Sequence, residues 1–459
     1  MPADITAMSA TELSSAISAR HVSCAEVMQA YLARIRRYNP VYNAIVGEVD
    51  DSELLQQARS ADLALSRGEY RGWMHGMPHA VKDLAAVRGL IHTSASPMYA
   101  DRVAEQDSPM VARLRGSGAI FVGKTNSPEF GLGSQTYNPV FGATGSAYDP
   151  DLTAGGSSGG AASALGTQMV PVADGSDMMG SVRNPGAFNN VIGFRPSASQ
   201  SDGERSLSAS GPMGRNTEDT IQLLHTMTGV ERGAYARLEL PDLRIGWLGD
   251  LQHYLAVEPG ILGLCEANLE VLEEEGVIVT HATLPMDPAL LWLSWTTLRH
   301  ASRQRMEAFY HDPATHQLLK PELIWEIEQG LGLTNEDMQV ADVLREELYK
   351  AVAGLFERYD FLVLPSSQVF PFDKNIHWPA QINGQQMDTY HRWMEVVVLA
   401  SLAGLPVVNV PAGFDADGRP MGMQVIGPYG ADKRVLEFAL AYEALVPYLE
   451  QRPQLVATR

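Results

Sequence analysis

The sequence has few of the features that would place it outside the cell or in a membrane. Of its 459 residues only two are cysteine, Cys24 and Cys265, too few for a disulfide framework or a four-cysteine zinc site. The first residues lack the continuous apolar run of a secretory signal, and no later stretch reaches the roughly 18 apolar residues of a membrane span. These absences predict a cytoplasmic protein that does not bind a membrane.

Positive charge is also scarce. Lysine and arginine number 34 against 54 aspartate and glutamate, a net charge of −20 that repels nucleic-acid phosphates and anionic lipid surfaces. No glycine-rich loop has the lysine of a phosphate-binding G-x-x-x-x-G-K-[ST] motif, and the 12 histidines form no H-E-x-x-H or paired metal spacing. We therefore expect no nucleic-acid partner, no metal and no cofactor.

Apolar residues make up 45% of the chain and charged residues 19%, enough for a packed core. The first 65 or so residues predict helices, because two capping boxes, Ser9 to Glu12 and Ser23 to Glu26, each precede apolar residues at helical spacing. Between His75 and Pro196 short β-like runs such as 119–124 alternate with Gly, Ser, Asn and Pro clusters.

The second half of the chain alternates strands and helices. Strands at 243–249 and 276–282 around a helix at 258–275 predict a parallel pair with a crossover. The remaining predicted elements are a helix at Thr217 to Thr228, two or three helices in 287–358, a buried strand at Phe361 to Pro365, a hairpin in 404–428 turning at Asp415 to Gly418, and a helix from near Asp432.

Three polar motifs in glycine-rich surroundings carry the chemistry. They are GMPHAVKDL around Lys82, TAGGSSGGAAS around Ser157 and Ser158, and DGSDMMGSVRNPG around Ser181. Flexible linkers are also rich in Gly, Ser and Ala, but the run from Ala154 to Gly166 lies between aliphatic stretches and has no repeat. Close backbone packing is therefore the favoured interpretation.

With these motifs, from about Gly76 to Pro196 and more weakly through 211–219 and 404–428, the sequence resembles the amidase signature family. The resemblance implies an α/β fold, a single domain with a central mixed, twisted sheet covered by helices. It also implies a catalytic triad in which Ser181 is the nucleophile, Ser157 the proton relay and Lys82 the base, with a cis peptide before Ser157.

The chemistry of amide cleavage fits these residues. An amide carbonyl is a poor electrophile with a poor leaving group. Its cleavage therefore needs an activated hydroxyl, a proton relay and donors for the oxyanion. Lys82 would serve as base only if burial keeps it neutral, and the apolar neighbours Val81 and Leu84 favour burial. The alternative is a surface lysine paired with Asp83. The histidines near this motif, His75, His79 and His92, are interpreted as packing or surface residues, with His79 and His92 next to be considered if Lys82 is not the base.

The resemblance places the oxyanion hole at the backbone amides of Met178, Met179, Gly180 and Ser181. The family usually has a second glycine where Met179 stands, so its side chain must fit where glycine leaves room, and Met178 also departs from the usual pattern. Ser158 supports the relay. Asp177 and Arg183 flank the nucleophile and are interpreted as a structural pair that braces the loop.

A second motif for serine chemistry overlaps the first. The stretch from Gly155 to Gly159 also matches the G-x-S-x-G elbow of α/β-hydrolases, which requires a strand directly before it. The preceding AYDPDLTA contains a proline and two aspartates and does not predict a buried strand, so this interpretation is disfavoured.

Aromatic residues are concentrated in 366–393, a long connection of the kind that often binds ligands. Phe370, Trp378 and Trp393 are the candidate substrate-binding residues, although such side chains also pack cores. The Met-Met-Gly-Ser form of the nucleophile loop resembles the branch with aryl-acylamidases and carbamate-cleaving urethanases, which makes anilides and carbamates candidate substrates.

The sequence thus predicts a serine amidohydrolase that cleaves small aromatic or hydrophobic amides with water. Two alternatives stay open: a transamidase component that works with partner subunits on tRNA-bound substrate, and a catalytically silent binding protein of the same fold. Whether the chain forms homo-oligomers also stays open. Within one domain, 1–459, we expect an N-terminal helical layer (1–65), a signature catalytic core (75–228) and substrate-lining helices and loops (285–400).

Overall fold

The computed structural model describes residues 4–201 and 204–457. The α-helices of these residues are, in chain order, α1 (Ala10–Ser18), α2 (Cys24–Tyr42), α3 (Asp51–Ser66), α4 (Pro109–Gly116), α5 (Gly159–Gly166), α6 (Arg183–Phe188), α7 (Thr217–Thr228), α8 (Ile261–Glu274), α9 (Pro288–Ala301), α10 (Glu307–His311), α11 (Pro313–His316), α12 (Pro321–Leu331), α13 (Asn335–Phe356), α14 (Val398–Leu402) and α15 (Asp432–Glu443).

The strands of the described residues are β1 (Ile45–Val46), β2 (Pro78–Lys82), β3 (Ile120–Thr125), β4 (Val172–Asp177), β5 (Ile192–Arg195), β6 (Gln200–Ser201), β7 (Glu204–Arg205), β8 (Ala209–Gly214), β9 (Arg244–Trp247), β10 (Ile278–His281), β11 (Phe361–Pro365), β12 (Gln381–Ile382), β13 (Gln385–Gln386), β14 (Val407–Phe414) and β15 (Pro420–Ile426).

A large mixed sheet forms the centre of the molecule. Its strand order is β10-β9-β11-β15-β14-β5-β8-β4. The pairs β10–β9 and β9–β11 are parallel, and the remaining pairs are antiparallel. A smaller sheet, β1-β3-β2, carries the strand that ends at Lys82. The predicted α/β class and single domain with a mixed sheet are confirmed.

Both faces of the large sheet are covered by helices, as strand β11 illustrates. Leu362 and Leu364 pack with side chains of α9, α13 and α14, whereas Phe361 and Val363 pack with side chains of α8 and α15. Successive side chains of a strand point to opposite faces, so an unbroken apolar run is what a strand buried on both sides requires.

Several local predictions are confirmed by the structure. Both capping boxes form, with the Ser9 and Ser23 hydroxyls accepting from the Glu12 and Glu26 amides at the starts of α1 and α2. Strands β9 and β10 pair in parallel around α8, and β14 and β15 form the predicted hairpin. The expected division of the chain into 1–65, 75–228 and 285–400 stays a prediction.

The stretch 287–358 differs from the prediction of two or three helices. It contains α9 to α13, with a short 3-10 helix, Gln304–Met306, after α9. Pro288, Pro313 and Pro321 each lie in the first turn of a helix. Proline is tolerated there because its missing N–H would have no helical partner, and it prevents the preceding helix from continuing. None of the helices in the described residues is both long enough and apolar enough to cross a lipid bilayer.

Candidate active site

Two neighbouring strands bring the three polar motifs together. Lys82 is the last residue of β2, and β4 ends at Asp177, directly before the loop that carries Ser181. Asp174 of β4 links the two strands: its carboxylate accepts from the Lys82 backbone amide (3.2 Å) and lies 3.0 Å from His79 Nε2. The loop ending at Ser157 and Ser158 leads into α5 and places both hydroxyls beside the Lys82 side chain.

The glycine-rich run that contains these serines is a buried, closely packed segment, as predicted. All residues of α5 are buried. A Cβ on Gly160 would lie 2.3 Å from the Asn126 backbone nitrogen, and one on Gly159 would lie 2.3 Å from Thr136 Oγ1. Only glycine permits such an approach. The Gly156–Ser157 peptide bond is cis, as the resemblance implies.

The side chain of Lys82 is buried, with 2% of the residue exposed. Its Nζ lies 2.8 Å from Ser157 Oγ, 2.8 Å from Ser158 Oγ and 3.0 Å from Ser176 Oγ. Within the part of the chain that the structure describes, these hydroxyls are its hydrogen-bond partners, and it forms no ion pair. A neutral amine has two N–H groups and one lone pair, so it can donate to two of these hydroxyls and accept from the third.

Burial changes the proton affinity of this amine. It lowers the pKa of Lys82 from 10.5 to about 7, while Asp174 and Asp177 act in the opposite direction. Removing an ammonium from water disfavours the charged form more than two carboxylates beyond ion-pair distance favour it. A substantial fraction of Lys82 is therefore neutral near pH 7.

Asp83, the alternative partner of Lys82, points elsewhere. It lies 3.5 Å from Lys124 Nζ and accepts hydrogen bonds from the Thr93 side chain and backbone and from the Ala95 amide. Consecutive residues at the end of a strand face opposite sides, which separates the two side chains. The alternative of a surface lysine paired with Asp83 is therefore wrong.

Asp177 and Arg183 form a buried ion pair on either side of the Ser181 loop. Arg183 donates to Asp177 through NH2 (2.8 Å) and Nε (3.1 Å), and through NH1 to Gln424 (2.8 Å). Burial would raise the pKa of Asp177, but Arg183 and Arg195 hold it at about 2. The loop is thereby tied to the centre of the large sheet, and a direct role of the pair in chemistry is not needed to explain its burial.

The backbone amides of this loop are not equivalent. The Gly180 amide donates to Asp177 Oδ1 (3.0 Å), which assigns it to the ion pair that holds the loop. This revises the prediction that Gly180 is an oxyanion donor, because the carboxylate has taken its N–H. The amides of Met178, Met179 and Ser181 remain as candidate donors. Gly180 has φ of 76°, and a Cβ there would lie 2.9 Å from Val397, which explains glycine at this position.

A cavity of about 380 Å³ opens beside these groups. Ser157, Ser176 and Ser181 contribute polar side chains to its lining, and Leu84, Phe130, Met178 and Leu207 contribute apolar ones. The remaining lining residues are Gly131, Ser206, Ser208, Ser302, Arg303 and Arg305. The volume lies in the range of small-molecule sites, and part of the lining is apolar.

The two loop methionines have different surroundings. Met178 lines the cavity and its sulfur lies 3.8 Å from Arg299 NH1, whereas Met179 is buried in the apolar cluster that also contains Val397 and Trp393. Of the two loop methionines, Met178 is therefore the one that shapes the cavity. The Met179 side chain, which stands where the family usually has glycine, packs in the core.

The three aromatic candidates do not line this cavity. Phe370 and Trp393 are each 1% exposed; Phe370 packs under Arg419, and Trp393 packs edge-on against Phe372. Trp378 packs edge-on against Tyr390 at a separate surface cleft. The rings of Phe370 and Trp393 are occupied in packing, which is the alternative that the sequence left open, whereas Trp378 is half-buried and lines the separate cleft. The assignment of these three residues to substrate binding is not retained.

Sequence reasoning missed several residues of the site. Ser176 had a signal, because it lies two residues after Asp174, on the same face of β4, next to the Lys82 amine. Phe130, Leu207, Arg303 and Arg305 come from loops and short helices with no distinctive pattern. Within residues 4–201 and 204–457, no group of three or more His, Cys, Asp or Glu side chains is arranged to hold a metal ion.

Several known proteins are similar to this chain in sequence and structure. The family model described as Amidase matches residues 26–436. An acylamidase of Rhodococcus erythropolis is 31% identical over 97% of this chain and 97% of its own length. A glutamyl-tRNA(Gln) amidotransferase subunit from Thermus thermophilus is 31% identical over 95% of this chain and 97% of its own length.

A crystal structure of a bacterial aryl acylamidase of the amidase signature family superimposes with a TM-score of 0.85 and 26% identity, covering 96% of this chain and 98% of the other. The family model covers most of the chain, and the acylamidase is 31% identical over nearly its whole length. The chain therefore belongs to the amidase signature family, whose members hydrolyse amide carbon–nitrogen bonds.

Proposed function

We propose that the protein is a serine amidohydrolase that cleaves small amides through an acyl-enzyme on Ser181, with Ser157 as relay and Lys82 as base. The observation that carries the proposal is the buried Lys82 Nζ, 2.8 Å from Ser157 Oγ, beside a cavity that Ser181 also lines. A serine hydroxyl is a weak nucleophile until a base accepts its proton, and a lysine with pKa about 7 is such a base at neutral pH.

Each proton in this reaction has a place to go. Ser181 Oγ attacks the amide carbon while its proton passes to Ser157, whose own proton passes to the Lys82 amine. The amides of Met178, Met179 and Ser181 stabilise the oxyanion. The same route in reverse delivers a proton to the departing nitrogen, so that a neutral amine leaves. Water then repeats the sequence on the acyl-enzyme and releases the acid.

The proposed substrates are anilides, with carbamates of aromatic amines as the related class. The apolar side chains that line the cavity can contact an aryl ring. They are those of Leu84, Phe130, Met178 and Leu207. The similarity to an acylamidase and to an aryl acylamidase structure supports the same class. Screening the purified protein against nitroanilides, primary amides and aryl carbamates tests the assignment, and hydrolysis of primary amides alone would contradict it.

A fluorophosphonate probe tests the chemistry without reference to substrate. We expect the probe to label Ser181 in the wild-type protein, as located by peptide mass spectrometry, and to leave Ser181→Ala unlabelled. The matched control is Ser15→Ala, which removes an exposed hydroxyl that donates within α1 and keeps the nucleophile and its partners. A folded wild-type protein that stays unlabelled would contradict the proposal and favour the silent binding protein.

The second candidate is a transamidase component that releases ammonia from glutamine for a tRNA-bound substrate. The Thermus thermophilus amidotransferase favours it, because its identity to this chain equals that of the acylamidase. The two candidates differ in their need for partners. We expect the isolated chain to hydrolyse anilides and to leave glutamine intact; glutamine hydrolysis that rises when the chain is copurified with partner subunits would favour the transamidase.

A further inference from the structure

The charged side chains that line the active-site cavity are both arginines. Arg303 and Arg305 line it together with Ser157, Ser176 and Ser181, and no aspartate or glutamate of the described residues lines the same cavity. This contrasts with the whole chain, whose net charge is −20. A cavity lined by one sign of charge, against the sign of the protein, selects the charge of what it binds.

Arg303 is held in place by its inner nitrogen. The residue is 5% exposed, and Nε donates to Glu326 Oε2 at 2.9 Å. Its two terminal nitrogens have no hydrogen-bond partner among the described residues. A guanidinium fixed at Nε presents its terminal N–H groups as a preorganised fork, which matches the two oxygens of a carboxylate.

The carboxylate behind Arg303 does not neutralise it. Glu326 is shared with Arg299, whose Nε donates to Oε1 at 2.6 Å, and it also accepts from the Tyr390 hydroxyl. Burial would raise the pKa of Glu326, but Arg299 and Arg303 hold it well below its usual range. Two guanidiniums and one carboxylate leave this buried group with one net positive charge.

Arg305 adds a second positive charge at the mouth of the cavity. It is exposed, lies in the short helix Gln304–Met306, and forms no hydrogen bond or ion pair with the described residues. Ser206, Ser208 and Ser302 line the same cavity. The lining of the cavity therefore combines polar and cationic side chains with apolar ones, among them Phe130 and Leu84.

We propose that the amide substrate carries a carboxylate, and that Arg303 and Arg305 bind it in the cavity that contains Ser181. The inference rests on the proposed amidohydrolase function and narrows its substrates to amides of amphipathic acids. The carboxylate binds Arg303 and Arg305, while the apolar part of the substrate contacts Phe130 and Leu84. Arg303 and Arg305 then determine specificity without contacting the reacting atoms.

Binding to the Ser181→Ala protein tests this inference without relying on hydrolysis. Calorimetry compares two matched ligand pairs: 4-acetamidobenzoate against 4-acetamidotoluene, with the carboxylate on the amine portion, and succinanilate against its methyl ester, with the carboxylate on the acyl portion. We expect the acid of at least one pair to bind about tenfold or more tightly than its neutral partner, the size of one charge-assisted hydrogen-bond pair.

The arginine variants assign that preference. Arg303→Gln should remove most of it, Arg303→Lys should restore part through charge alone, and Arg305→Gln should lower it about two- to fivefold, as for an exposed ion pair. Arg67→Gln is the matched control, because it removes one exposed positive charge at the end of α3 and should change nothing. Circular dichroism checks that Arg303→Gln is folded. If Arg303→Gln does not fold, the exposed Arg305→Gln variant still tests whether the arginines bind the carboxylate.

Two results would overturn the inference. One is equal binding of the acid and its neutral partner in both pairs. The other is a preference for the acids that survives both arginine substitutions. Failure of the proposed function is seen separately, as absence of fluorophosphonate labelling and of hydrolysis in the wild-type protein, and it does not alter the binding comparison.

Discussion

We expect kcat/KM to rise with pH through an acid limb with an apparent pKa near 7, because only neutral Lys82 accepts the relayed proton. A lysine with its ordinary pKa of 10.5 would be neutral in about 0.03% of molecules at pH 7, whereas a pKa of about 7 makes about half of them neutral. Burial therefore increases the competent form more than a thousandfold at neutral pH. The assay is initial-rate hydrolysis of a nitroanilide from pH 5 to 9.

Lys82→Met tests the origin of the limb. The variant should lose most of its activity at neutral pH, and its residual rate should lack the limb near pH 7. A variant with near-wild-type rates and an unchanged profile would refute the assignment of the base. His79 and His92 would be considered next, although the structure places His79 on Asp174, away from the serine hydroxyls.

The same lysine should leave a signature in stability. Its folded pKa is lower than its unfolded pKa, so between about pH 7 and 10.5 the unfolded chain binds a proton that the folded chain does not. Stability from this group therefore rises with pH across that window, by up to about 5 kcal/mol for the full difference in pKa. Urea unfolding at several pH values should show a shallower pH slope for Lys82→Met; identical slopes would show that Lys82 is not neutral in the folded protein.

Four further substitutions extend the tests. Ser181→Ala should abolish acyl transfer and keep the fold, and trapping of a slow substrate should place the acyl group on Ser181; acylation of another serine would contradict the assignment. Met178→Ala should change the ratio of kcat/KM between a bulky anilide and a small amide, since Met178 lines the cavity, whereas Met179→Ala should cost about 2–5 kcal/mol of stability with that ratio unchanged. Arg183→Met should destabilise the protein by about 3–5 kcal/mol, because it leaves the Asp177 carboxylate buried without its main partner, and denaturation midpoints would measure this.

The sequence predicted what local patterns determine. The capping boxes of α1 and α2, the apolar run of β11 and the Asp-Gly turn of the β14–β15 hairpin each follow from a few adjacent residues. The burial of Lys82 was predicted from its apolar neighbours in the chain, Val81 and Leu84, and the close packing of Gly159 and Gly160 from their context. In each case the information lies within about ten residues of the feature.

The substrate cavity could not be predicted in this way, because its walls come from segments far apart in the chain. Phe370 and Trp393 look like ligand-binding residues in the sequence, yet the core takes up their rings, since burying a large aromatic side chain stabilises the fold wherever it occurs. An alternation rule gives no side-chain direction in a tight loop, so nothing local distinguishes Met178 from Met179.

The positive charge of the cavity depends on tertiary structure even more than the shape of the cavity does. An arginine near the end of a helix is ordinarily a solvent-exposed residue, and the spacing of Arg299 and Arg303 predicts only that they share a helical face. Glu326 on α12 accepts a hydrogen bond from Nε of each arginine, and the terminal nitrogens of Arg303, which lines the cavity, keep no hydrogen-bond partner among the described residues. The net charge that this cavity presents therefore depends on which arginine nitrogens are hydrogen-bonded to Glu326. Those hydrogen bonds form only when α9 and α12 have packed together.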